Sequence, residues 1–418
     1  MMSKILISKE KLFLSLFCFY ILAEFRFFYL IPLPNIFSGA ASNKFLPSVI
    51  AFGIFVFYII CYIYEPIKKY KFTFWIMALF ILLGINSVHM LLTYSYKLTS
   101  ILWFFIPYLS LLLYFPLVRF LKNELVYAKF IYFCKISVLI LCGLFLLQEF
   151  IFKNQASAFL ELDGLLSEKY EFGLPKDEIF VRVYGVFDGF IRVFSIVIAF
   201  EIIHKRLKKC KLSILSLLLM IICIMVIDQS RYYLITILSS ILVIFFIENG
   251  KKMSLKTILM IFIFFISFIP VIYKAVLSIL NSIEAYNGSA YARVDAILYY
   301  LGLEWNKLFW GLGFVIPDEL SPFHSLIKGP NLIYNYDDIG LIGTLASLGI
   351  FGLIGYILFI LTVFSKWRKA YGKKTLIGGL FISLLLSSPI MSYLDSPRII
   401  CLLFTCVFIE LELNKNYV

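Results

Sequence analysis

Five arginines and one histidine stand in contexts that suit chemistry on an anionic substrate. They are Arg182 in VRVYGVFDGF, Arg192 in FIRVF, Arg231 in VIDQSRYYL, Arg293 in SAYARVDAILYY, Arg398 in DSPRII and His324 in SPFHSLIKG. A guanidinium matches the fork of phosphate oxygens and stabilises a departing pyrophosphate. An imidazole titrates near neutrality and can take the proton of an attacking hydroxyl. Each residue also has a plain structural reading: Arg231 pairing with Asp228, Arg182 and Arg293 as interfacial anchors, and His324 as a solvated loop residue. Asp337 and Asp338 suggest a metal, yet no further carboxylate or histidine stands at ligand spacing, so no metal site is expected. No nucleotide-binding or nucleophile-elbow motif is present.

The elements that must position these residues are written in the composition. The 418 residues are 62% hydrophobic and 15% charged, with a mean hydropathy of +0.96. A water-soluble fold carries about a quarter charged residues, so the solvent here is lipid and the fold class is an all-α polytopic membrane protein. Spans of ~20 apolar residues are expected at 11–31, 45–64, 72–92, 98–118, 131–151, 187–204, 212–229, 231–248, 255–280, 339–364, 373–394 and 396–413, about twelve in a single integral membrane domain over 1–418. The N-terminal stretch has the look of a signal peptide, but Glu24 and Arg26 interrupt it, and it reads as an uncleaved first span.

A net charge of +13 does not imply a nucleic-acid partner, because the lysines and arginines cluster in alternate connectors. One set holds Lys4, Lys9 and Lys11, then Lys68, Lys69 and Lys71, then Arg119, Lys122 and Lys129, and so on to Lys366–Lys374; the other holds isolated cations. By the positive-inside rule the first set is cytoplasmic, as are both termini. The two longer connectors, roughly 152–188 and 281–338, then lie outside. Connectors of that length are uncommon unless functional or disordered; their apolar runs predict short interfacial helices. The eight cysteines contain no CxxC pair and read as small buried hydrophobes. Gly340, Gly343, Gly349, Gly352 and Gly355 recur at helical spacing and read as a packing face.

Taken in order, RVYGVF, the turn QSR, ARVDAILYY, WGLGF, His324 and DIGLIGTLASLGIFG resemble the O-antigen polymerase and ligase superfamily over roughly the C-terminal 240 residues. That resemblance implies a metal-independent membrane glycosyltransferase in a bacterial inner membrane, needing no cofactor. Its donor would be a growing glycan on undecaprenyl pyrophosphate, and its acceptor the terminal sugar hydroxyl of another lipid-linked repeat unit. Carried over by position, Arg231 and Arg293 would engage the pyrophosphate, His324 would activate the hydroxyl, and Arg182 and Arg192 would contact substrate. Where the family often has His-Asn, this chain has His324-Ser325. The partners implied are the lipid-linked oligosaccharide, the bilayer, a chain-length regulator and a flippase, with no nucleic acid. A ligase acting on lipid A core would share the site, and a flippase for the same lipids would suit a similar number of spans.

Overall fold

The computed structural model describes residues 2–31, 44–65, 70–155, 189–204, 210–249, 288–315, 321–370 apart from 331 and 333, and 374–414, with isolated positions at 160, 183, 186 and 187. Its helices, numbered in chain order, are α1 (Met2–Glu24), α2 (Phe45–Cys61), α3 (Thr73–Tyr94), α4 (Leu98–Leu121), α5 (Glu124–Gln155), α6 (Phe190–His204), α7 (Lys211–Asp228) and α8 (Arg231–Asn249). They continue with α9 (Gly288–Leu301), α10 (Trp305–Trp310), α11 (His324–Lys328), α12 (Gly340–Lys369), α13 (Thr375–Ser387) and α14 (Ile399–Asn414). The fold is all-helical, and this is a membrane protein.

Among the described residues five helices are long and apolar enough to cross a bilayer: α3, α4, most of α5, α7 and α12. The span expected at 255–280 lies outside the described residues. Several others form shorter helices, such as the 15-residue α6 and the 13-residue α13. At 1.5 Å per residue, those two fall well short of ~30 Å of hydrocarbon. They are also the most enclosed, with α14 buried on every side from Ile399 to Glu412. A helix apolar all round belongs inside a bundle. The helices α6, α13 and α14 pack on one another, with α8 against α6 and α13, α12 against α13, α7 against α6 and α4 against α14.

Polar contacts sort the helix ends into two groups. At the basic end, Lys9 Nζ reaches the Cys61 carbonyl at 3.4 Å, the Lys71 amide donates to Glu410 at 3.1 Å, and His204 meets Glu248 at 3.3 Å. At the opposite, loop end, Glu24 pairs with Lys44 at 2.7 Å, the Val183 amide donates to the Ile227 carbonyl at 3.0 Å, and the Leu341 amide donates to Ser388 at 2.9 Å. Glu24, which interrupts the apolar first segment, is thus a buried ion pair with Lys44.

One helix is broken. Within α12, Gly349 has φ 71° and ψ −171°, outside helical space. The segment after α10 runs into the bundle beside the break. Leu312 and Gly313 donate their amides to the carbonyls of Ala346 and Ser347 at 2.7 and 3.0 Å, and Asn86 of α3 donates to the Trp310 carbonyl at 3.0 Å. A Cβ on Gly349 would sit 2.4 Å from the Phe309 carbonyl oxygen, and one on Gly311 equally close to that of Ser347. Backbone runs against backbone here, which only glycine permits. The glycine series is therefore not a uniform packing face: Gly349 marks a break, and a side chain on Gly355 would meet nothing within 4 Å. Six of the eight cysteines are buried, and none forms a disulfide.

Candidate functional site

The sequence DSPRII makes a single 3-10 turn, Ser396–Arg398, with proline at its start, and it leads directly into α14. The turn points Arg398 back into the loop end, where its side chain ties three elements together. Within its own turn it binds Asp395 at 2.8 Å. It donates to the Asp337 carbonyl at 2.6 Å and approaches Asp338 at 3.5 Å, both in the turn ahead of α12. Its Nε donates to the Tyr233 hydroxyl of α8 at 3.3 Å.

Tyr233 serves a second arginine. Arg192, in the first turn of α6, is 0% exposed. Its guanidinium lies 4.5 Å from the Tyr233 ring centre and 5.2 Å from that of Tyr393, and it donates to the Thr236 hydroxyl at 3.3 Å. Aromatic faces attract a cation more strongly once water is excluded. Taking a charge out of water still costs several kcal/mol after relaxation. Two enclosed guanidinium groups sharing one tyrosine are therefore an expensive arrangement.

The nearby acids do not simply cancel that charge. Burial, with Asp337 beside it, pushes the Asp395 carboxyl well above the usual carboxylate range against the pull of Arg398. Burial raises Asp337 as well. Both carboxyls are shifted toward the neutral form, which leaves the arginines more positive than a count of residues suggests.

The helix α9 packs on α12 and carries α11 with it. Arg293, Ala296 and Tyr300 recur at helical spacing on α9, and the last two are buried. Tyr299 and Tyr300 donate their hydroxyls to the Leu326 and Ile327 carbonyls at 2.8 and 2.5 Å, so α9 holds the short helix that His324 opens. Phe323, just before His324, packs its ring 5.2 Å from Tyr94 at the end of α3. Tyr334 donates to Asp295 and Lys328 to Asn335, closing the loop on α9. Burial pushes the Lys328 ammonium pKa down while Asp337 and Asp338 push it up, so Lys328 links the histidine helix to the acids around Arg398.

Three buried polar atoms in this region have no hydrogen-bond partner: Arg293 Nε and the hydroxyls of Tyr96 and Tyr336. Tyr336 lies near Tyr96, Tyr300 and Asp337. Unsatisfied buried donors are rare and call for an explanation. A polar group brought in from outside would satisfy them.

The structure thus joins Arg192 to Arg398 through Tyr233 and sets Arg293 and His324 on adjoining helices. Among the described contacts none joins those two groups directly. Arg231 opens α8, but its side chain lies outside the described residues, as do Arg182, Asp318 and Glu319. Asp228 is buried at the end of α7. Arg398, Asp395, Tyr233, Tyr393 and Lys328 have no assigned role in the sequence reading. The one available signal was an arginine three residues after an acid at the mouth of a span, since an arginine at membrane depth needs partners. His89 stacks at 5.8 Å on Trp310, and His204 binds Glu248 at the basic end. Among the described residues no three His, Cys, Asp or Glu side chains gather as a metal site would require.

This arrangement gathers two enclosed guanidinium groups on one tyrosine, and Lys328 links the helix that His324 opens to the acids around Arg398. No protein-family model matches the chain, and no curated protein matches it.

Proposed function

We propose that the chain is an oligosaccharide repeat-unit polymerase of the bacterial inner membrane. In this reading it crosses the membrane about twelve times with both termini cytoplasmic, and the loop end faces outward. The observation that carries the reading is the pair of enclosed arginines, Arg192 and Arg398, bridged by Tyr233, with Lys328 linking the helix of His324 to the acids around Arg398. Enclosed cations with weakened counter-charges suit a ligand that brings its own negative charge, as a pyrophosphate does.

The reaction is a displacement at the anomeric carbon of the growing glycan. The acceptor's sugar oxygen forms a bond to that carbon as the bond to the pyrophosphate oxygen breaks. His324 takes the hydroxyl proton, and the departing polyprenyl pyrophosphate stays bound to the arginines, with Arg182, Arg231 and Arg293 as further contacts. The energy comes from the donor itself, so no nucleotide is consumed.

A transport reading has one observation in its favour, the break in α12, since interrupted helices line the sites of many transporters. The freed carbonyls of Ala346 and Ser347 are, however, already bonded to Leu312 and Gly313. That leaves the polymerase as the better reading.

The test uses purified full-length protein and polyprenyl-pyrophosphate-linked repeat units. Wild type should yield a ladder of longer glycans, and His324→Ala should lower the rate by about 10²–10⁴-fold. Transfer onto added lipid A core with no ladder would make it a ligase. Movement of the lipid across vesicles without any new glycosidic bond would favour transport.

A further inference from the structure

A groove of about 580 Å³ runs between α3 and the part of α12 beyond its break. Trp75 and Ile81 of α3 face Phe351 and Phe359 of α12 across it, Trp310 closes one end, and no charged side chain lines it. Leu394 forms part of its floor. The Leu394 carbonyl accepts the Tyr108 hydroxyl at 3.0 Å, and the next residue is Asp395, bound to Arg398. Trp310 begins the buried segment docked at the break in α12, in the stretch that runs from α9 to the helix of His324. The groove is thus lined by hydrocarbon and adjoins the Arg398 turn through Leu394.

We infer that this groove seats the polyprenyl tail of the lipid-linked substrate, with the pyrophosphate directed toward the Arg398 turn. The inference rests on the function proposed above and extends it by giving the tail a place on the protein. Transfer from bilayer to groove gains no hydrophobic free energy, because lipid tails are already apolar. What selects the occupant is tethering. A tail covalently attached to a pyrophosphate held beside Leu394 has a high effective concentration at the groove, and a bulk acyl chain has no such tether. The four aromatic rings of Trp75, Trp310, Phe351 and Phe359 also offer flat faces for the planar alkene in each isoprene unit.

Gly355 lines the groove, and a Cβ built there meets nothing within 4 Å, so Gly355→Trp starts its side chain in open space and puts the indole into the groove. In full-length protein in phosphatidylglycerol nanodiscs, this variant should raise KM for a polyprenyl-linked donor about tenfold with kcat held within about twofold. A donor on a ten-carbon geranyl chain should be used equally by both proteins. Leu361→Trp, on an exposed face of α12 outside the groove, should change neither constant. Independently, a polyprenyl pyrophosphate with a mid-chain diazirine should label Ile81 or Phe351, with the label displaced by unlabelled polyprenyl pyrophosphate and lost in Gly355→Trp. Label spread over Phe74 and Val88, or displaced equally by phospholipid, overturns the inference. So does absence of groove labelling in wild type, which a segment of the chain itself seated there would produce. Groove labelling without glycan elongation would uphold the groove and remove the reaction. Elongation with an unchanged KM in Gly355→Trp would do the reverse.

Discussion

The two ends of the bundle satisfy their buried charges differently. At the basic end the enclosed groups are carboxylates with local partners. Glu410 accepts the Lys71 amide and the Tyr114 hydroxyl at 3.1 and 3.3 Å, and Arg119 pairs with the half-exposed Glu65 while lying over the Tyr62 ring. These contacts seal helix ends. At the loop end, beside the Glu24–Lys44 pair, two arginines are enclosed among tyrosine rings and carboxyls shifted toward neutrality. One end spends its polar groups on closure, and the other keeps positive charge out of water. Such a cation is destabilising unless something uses it.

The strongest way to break this comparison is Arg398→Ala. It removes bonds to Asp395, Asp337 and Tyr233 at once and strands a buried acid. A loss of about 3–5 kcal/mol is expected, read as a large drop in unfolding midpoint or in folded yield. The matching change at the basic end, Arg119→Ala, should cost about 1 kcal/mol or less because its partner is solvated, and it should leave glycan elongation unchanged. Similar losses from the two variants would mean that the ends are energetically alike.

A third prediction concerns pH. Burial holds the Asp395 carboxyl well above its ordinary range. A carboxyl raised on folding contributes stability that is full below its unfolded value of ~3.9 and is lost as pH rises through the folded value. Asp395→Asn keeps an oxygen to accept from Arg398 and removes the titration. Its unfolding midpoint should therefore fall less than that of wild type as pH is raised from acid to neutral. Parallel curves for the two proteins would contradict the assignment.

Much of this contrast was legible in the sequence, for reasons that differ by residue. The membrane class and the alternation of connectors follow from charge placement, a local property. His324 and Arg293 stood out by residue type and by the resemblance, and the structure sets them on adjoining helices. Arg398 was visible as an isolated cation, but its role was not, since Tyr233 and Asp337 lie far away in the chain. The break at Gly349 was hidden for a related reason: a glycine stripe looks the same whether it packs helices or admits the Trp310–Val315 segment. Span counting was affected by burial. Enclosed helices such as the 13-residue α13 are largely apolar yet shorter than the five helices that meet the length of a crossing, a difference that hydropathy does not register.

The most direct test is Arg192→Met, which replaces an enclosed guanidinium with a flexible apolar side chain, measured for both stability and glycan elongation. A cation kept for binding rather than folding should be dispensable to the fold, because a well-packed apolar replacement of a buried charge is often neutral or stabilising. The variant should unfold at the wild-type temperature or above, while elongation falls by about 10²-fold or more. Elongation retained in a protein destabilised by about 3–5 kcal/mol would instead make Arg192 a structural residue, and the loop end would lose its claim to be the active one.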